Sequence, residues 1–114
     1  MSIARPIMFP TSPTQARKSI SIVRATDDHG VIRLTVRMTG WRGRWNIYVN
    51  GRLNNSSTSR TTGSTNPRRM LSPGTYRVYV ALANANRTLL RPVVRSRTVT
   101  VTVEEPAETT ETTE

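Results

Sequence analysis

The stretch VIRLTVRMTGWRGRWNIYVNGRL, residues 31–53, decides the fold class. From Ile32 the residues alternate: Ile32, Leu34, Val36 and Met38 fall on one side, with Arg33, Thr35 and Arg37 on the other. After Thr39-Gly40 the same period returns, with Trp45, Ile47 and Val49 opposed to Arg44, Asn46 and Tyr48. Successive side chains of a β-strand point to opposite faces, so a period of two marks a strand buried on one side. Asn50-Gly51 follows directly, a pair suited to a two-residue hairpin turn whose central positions need a positive φ. Arg52-Leu53 is therefore expected to begin a short return strand.

The same period extends in both directions. YRVYVAL (76–82) sets Tyr76, Val78, Val80 and Leu82 against Arg77, Tyr79 and Ala81. RTVTVTV (97–103) sets Val99, Val101 and Val103 against threonines, and SISIVR (19–24) supplies a shorter first strand. No stretch carries a comparable helical period. Asp27-Asp28-His29-Gly30, Thr39-Gly40, Ser72-Pro73-Gly74 and Asn84-Ala85-Asn86 punctuate the runs with turn-forming residues. The polar stretch from Asn54 to Arg69 reads as a long loop with room for one weak edge strand. Short strands separated by such turns predict a sandwich or barrel.

The two ends differ from this body. Residues 1–17, MSIARPIMFPTSPTQAR, hold Pro6, Pro10 and Pro13, which remove ladder donors and favour extended backbone. They form an expected arm, whose Ile3, Ile7, Met8 and Phe9 are candidates for packing on the domain's edge or on another subunit. Residues 18–103 form the expected domain. Residues 104–114, EEPAETTETTE, are an acidic tail whose composition buries too little to offset ordering entropy, so disorder is expected there.

The net charge of the 114-residue chain is +10, and it is unevenly placed. All 17 Lys and Arg lie in residues 1–103 together with two acids, giving +15, while the tail holds five Glu. Such asymmetry points to an acidic or polyanionic partner, or to a tail that covers its own basic body. Sixteen of the basic residues are arginine, which suits bidentate recognition of phosphate and carboxylate; base composition of the genome accounts for the count equally well. There is no cysteine, hence no disulfide and no thiolate site. No run reaches the ~18 apolar residues of a membrane span. The first residues also lack the ~7–15-residue apolar stretch of a secretory signal. The expectation is a soluble chain made in the cytoplasm, with release by assembly into a particle left open.

LSPGTYRVYVALANANRTLL (71–90) followed by SRTVTVTV (96–103) resembles the last two strands of immunoglobulin-like and fibronectin type III-like domains. Such domains recur in bacterial surface proteins and phage virion proteins. The resemblance spans roughly residues 18–103 and implies an all-β, antiparallel immunoglobulin-like sandwich of about seven strands. It implies that Tyr76 occupies a tyrosine corner and that Trp45 is the buried tryptophan of the third strand. The chain lacks the inter-sheet cysteine pair of antibody domains. Trp41, ahead of the strand, either caps the sandwich or stands exposed as an anchor.

Catalysis has few residues to draw on. His29 is the only histidine, and outside the tail the only acids are its neighbours Asp27 and Asp28. Consecutive residues on a turn do not converge on a substrate as acid–base chemistry requires. No cofactor or metal is expected, and no enzyme. The candidate surfaces are instead a basic and aromatic face of Trp41, Arg42, Arg44, Tyr48, Arg77 and Tyr79, and a loop patch of Arg60, Arg68 and Arg69. The face suits a protein interface, a solvated sheet face that opposes aggregation, or single-stranded nucleic acid. The expected role is a virion-associated protein, a capsid decoration or head-surface protein of a tailed phage. It would dock on protein subunits, in a homo-oligomer or otherwise, through its arm and basic surface. The alternative is a small nucleic-acid-binding protein whose acidic tail limits non-specific binding; no membrane partner is implied.

Overall fold

A computed structural model describes residues 17–105. The alternating runs form seven strands: β1 (Ser19–Asp28), β2 (Val31–Thr39), β3 (Arg44–Val49), β4 (Arg52–Ser57), β5 (Thr62–Ser64), β6 (Gly74–Ala83) and β7 (Val99–Val103). They build two antiparallel sheets, ordered β1-β2-β5 and β4-β3-β6-β7. This is the immunoglobulin-like, fibronectin type III-like sandwich that the resemblance implied. The described residues contain no helix, and so none long and apolar enough to cross a membrane. The return strand β4 of the hairpin stays beside β3, while β5 crosses to β2, which makes the split three plus four.

The apolar sides of the strands face each other. Ile32, Leu34 and Val36 from β2 meet Trp45, Ile47 and Val49 from β3 and Val78, Val80 and Leu82 from β6 in one buried cluster. Asn50 and Gly51 turn β3 into β4 with φ of 51° and 83°, the paired left-handed values of a type I′ turn. His29 and Gly30, at 55° and 91°, do the same between β1 and β2. Tyr76 is half-buried, and its hydroxyl donates to the Ser72 carbonyl at 2.6 Å, the bond of a tyrosine corner.

Two segments depart from the sequence reading. β1 extends to Asp28 because its register shifts between Ile22 and Arg24, leaving Val23 unpaired and exposed. Such a bulge breaks the alternation that would have announced the longer strand. The polar stretch 54–69 is more ordered than a long loop, and the edge strand it had room for is β5. β4 runs through Ser57, and β5 crosses to pair with β2. Polar side chains tie this crossover. Asn55 Nδ2 donates to the Ser64 carbonyl at 2.8 Å, Asn54 Oδ1 accepts from Asn66 N at 2.7 Å, and buried Thr65 Oγ1 accepts from Ile32 N at 2.9 Å. Their partners are backbone groups distant in sequence, which no periodicity reports.

Trp45 fills the space that this crossover encloses. Its ring is fully buried, Nε1 donates to the Ser59 carbonyl at 2.7 Å, and its edge lies against Gly63. A Cβ at Gly63 would stand 2.5 Å from Trp45 Cη2. Gly63→Ala is therefore expected to overpack the core and lower stability by about 1–3 kcal/mol. Urea unfolding checks this: the midpoint should fall with an unchanged slope.

Candidate functional site

The residues of β3 and β6 that point away from the core lie on the outer face of the four-stranded sheet. Tyr48 and Tyr79 are direct cross-strand partners there, their rings stacked 4.8 Å apart and within 9° of parallel. The Arg95 guanidinium lies 3.6 Å above the Tyr79 ring. It is held by Nη2 donating to Thr98 Oγ1 at 2.8 Å and Nε donating to the Ser96 carbonyl at 3.2 Å. The strand order places Tyr48 and Arg95 on opposite sides of Tyr79, so both faces of that ring are already covered. Arg77 is exposed on the same face near Asn50, Gly51 and Thr98. Sequence reading missed Arg95, because it precedes the regular part of β7 and carries no alternation signal.

Asn46 shares this face by parity, yet it is fully buried. The β6–β7 connection folds back at Asn84–Thr88, where Arg87 takes a φ of 74° and presents its carbonyl to Asn46 Nδ2 at 2.8 Å. The same Nδ2 donates to the Tyr48 hydroxyl at 3.1 Å. Arg44 is half-buried beside it, with Nη1 donating to Ser56 Oγ at 3.0 Å. Arg44 Nε and Asn46 Oδ1, one donor and one acceptor, are buried without a partner among the described residues.

The expected groupings are partly rearranged. Trp41 does not join Tyr48 and Tyr79. It packs against the core at the far end of β3, where its Nε1 donates to the Arg44 carbonyl at 3.0 Å. A Cβ at Gly43 would come within 2.8 Å of the Trp41 ring, so this glycine lets the indole fold back over the loop. Arg60 does not meet Arg68 and Arg69 either. Arg60 sits in the β4–β5 link, whereas Arg68 and Arg69 sit in the β5–β6 link at the opposite end of the sandwich. Ile3, Ile7, Met8 and Phe9 lie outside the described residues.

A different grouping emerges from the topology. One end of the sandwich, here called the upper end, carries the chain's entry at 17–18, the links 40–43 and 58–61, and residues 84–94 of the β6–β7 connection. It presents Arg17, Lys18, Arg42, Arg60, Arg87 and Arg91, all exposed, with half-buried Arg44 beneath them and no acid. An open groove among them is lined by Trp41, Leu89, Leu90, Pro92, Val93 and Val94, with Lys18 at its edge. Val93 is 52% exposed, an apolar residue on a charged rim.

The four described acids sit at the lower end. Asp27 accepts Gly30 N at 2.9 Å and Glu104 N at 3.0 Å, tying the end of β7 to the β1–β2 turn. Asp28 accepts Arg33 Nε at 2.7 Å, and His29 Nδ1 lies 3.0 Å from its other oxygen. These hydrogen bonds, from Arg33 first and His29 second, hold the Asp28 carboxyl below its ordinary pKa. Among the described residues no group of three or more His, Asp and Glu is placed to hold a metal ion.

No family model and no curated protein matches the chain. Among solved structures it is similar to the fibronectin(III)-like modules of Clostridium thermocellum CbhA, at 11% identity and a TM-score of 0.48. The match covers 77% of this chain and 47% of that one, so the chain spans about half the length of the solved relative.

Two outcomes follow from the site. Asn46→Ala removes both Nδ2 bonds and leaves the Arg87 carbonyl unpaired, with an expected loss of about 1–3 kcal/mol in chemical denaturation. The Asp28 carboxyl, followed by carbon NMR, should titrate below the ordinary carboxylate midpoint, and Arg33→Gln should raise it. The sign is that of a depressed acid. Its small stabilising contribution is present above the unfolded-state pKa and is lost as pH falls through the folded one.

Proposed function

We propose that the chain is a non-enzymatic docking protein of a larger assembly, a virion-associated capsid decoration or head-surface protein. In this reading it binds through residues 1–16 and the upper end of its sandwich. The observation that carries it is the concentration of cations, without an acid, around an exposed apolar groove where the chain enters the domain. Apolar residues that bury on contact supply affinity, while surrounding charges of one sign steer the encounter and select an acidic partner surface. Ile3, Ile7, Met8 and Phe9 add apolar area immediately upstream of this end. The immunoglobulin-like frame holds the loops still, and its function rests on what those loops present.

The outer sheet face has a lesser part in this reading. Tyr79 has Arg95 on one side and Tyr48 on the other, so a nucleobase could stack there only by displacing one of them. Binding nucleic acid through aromatic platforms needs free ring faces.

The test is association with purified particles from the source of the chain. The protein is expected in the head fraction of a density gradient at fixed stoichiometry, and recovery solely as free protein would overturn the virion role. Deleting residues 1–12 should abolish that association while leaving the circular dichroism spectrum and thermal midpoint unchanged. Undiminished association of this truncation removes the arm from the mechanism. Anisotropy against labelled DNA adds a control: a steep salt slope with binding that persists at physiological salt would favour nucleic acid instead.

A further inference from the structure

Four of the chain's seven acids, Asp27, Asp28, Glu104 and Glu105, lie at the lower end, and in sequence Glu108, Glu111 and Glu114 follow. From Glu105 onward a glutamate recurs at every third residue, separated only by Pro, Ala and Thr. Bound in an extended form at ~3.1–3.4 Å per residue, such a segment would present a carboxylate about every 10 Å. The segment that follows the lower end carries only negative charge in sequence, and the upper end carries only positive charge among the described residues. We infer that the upper end of one copy receives the acidic segment 105–114 of a second copy, so that the chain associates head to tail. This rests on the reading of the upper end as a docking surface, and it names that surface's partner as the chain itself.

Reach favours a second copy over the chain's own tail. β6 runs the length of its sheet with ten residues, or roughly 33 Å at the usual rise. The nine residues after Glu105 span at most about 32 Å when fully extended. In the same copy the segment would have to run back along the sandwich to meet Arg60, whose link lies beside Val36 part-way along β2, and farther still for Arg42 and Arg91 beyond the strand ends. From a neighbour stacked end to end, the whole row comes within reach of Arg42, Arg60 and Arg91, which are exposed on separate upper links. Arginine forks match carboxylates in bidentate geometry, and screening makes such exposed contacts weaken as salt rises. The contact is heterologous, so its repetition yields a ring or a filament instead of a closed dimer.

Sedimentation velocity on the full chain tests this. The weight-average mass should rise with protein concentration at low salt and fall as salt is added. A chain that stays monomeric at low salt across the accessible concentrations overturns the inference. Two full-length variants then separate the partners: Glu108→Gln/Glu111→Gln/Glu114→Gln lacks the anions, and Arg42→Glu/Arg60→Glu/Arg91→Glu lacks the acceptor. Each should remain monomeric alone, with thermal midpoints near that of the parent; Arg42, Arg60 and Arg91 are exposed. Mixed, they should form a one-to-one complex, because one retains the acceptor and the other the anionic row. Failure of the mixture to associate, where the parent does, assigns the association to other surfaces and overturns the inference. Deleting residues 1–12 should leave self-association intact, so the inference and the docking arm fail separately.

Discussion

The burial of Trp45 between the two sheets is the constraint on which the rest of the domain depends. A large ring fills a gap of ~10 Å between packed sheets, but it must be closed over on its far edge. Gly63 supplies that closure by having no side chain, and the Ser59 carbonyl satisfies the indole N–H. The β4–β5 link therefore crosses from one sheet to the other over this ring, and β5 pairs with β2 in consequence. A polar, glycine-containing segment is what this crossing needs. Bulkier residues would collide with the ring, and an apolar segment would leave its many backbone groups without the side-chain partners that Asn54, Asn55, Ser57 and Thr65 provide.

The sandwich turns an even scatter of arginines into a polar object. Along the chain the basic residues have no obvious clustering; folding assigns each link to one of two ends. The links that happen to carry Arg42, Arg60, Arg87 and Arg91 fall together with the chain's entry, while the β1–β2 turn and the end of β7 gather the acids. At the lower end the acids accept hydrogen bonds that organise the turn, Asp27 from the Glu104 backbone N–H and Asp28 from the Arg33 guanidinium. At the upper end the cations have no acid among the described residues, so their field is directed outward. That difference makes the upper end the candidate for contact with an acidic surface.

The outer face of the four-stranded sheet shows how a binding-like composition becomes structural. Tyrosine, arginine and asparagine are residues of interfaces, yet here Arg95, Tyr79 and Tyr48 stack on one another and Asn46 anchors the folded-back β6–β7 connection. Stacking and cation–π contact at an exposed site are worth about 0.5–1 kcal/mol each. They are enough to fix side chains in place, and among the described residues Arg77 stays exposed on that face. The connection so anchored is the one that carries Arg87, Arg91 and Val93, so the sheet face and the upper end share it.

Much of the architecture was legible in the sequence, because a half-buried strand must alternate and a tight hairpin must have residues that accept positive φ. Ile32 to Met38, Trp45 to Val49, Tyr76 to Leu82 and Val99 to Val103 reported their strands, and Asn50-Gly51 its turn, by those two requirements alone. The burial of Trp45 and the bond from Tyr76 followed from the resemblance those runs carry. Tertiary structure decided what local pattern cannot encode: that β5 is a strand made from Thr62-Gly63-Ser64, that Asn46 is buried by a carbonyl 41 positions away in sequence, and that Arg60 parts from Arg68 and Arg69. Each depends on which segments meet in space. Period and turn chemistry act over a few residues, whereas the placement of charge and the closing of the core are set by contacts between residues that are far apart along the chain.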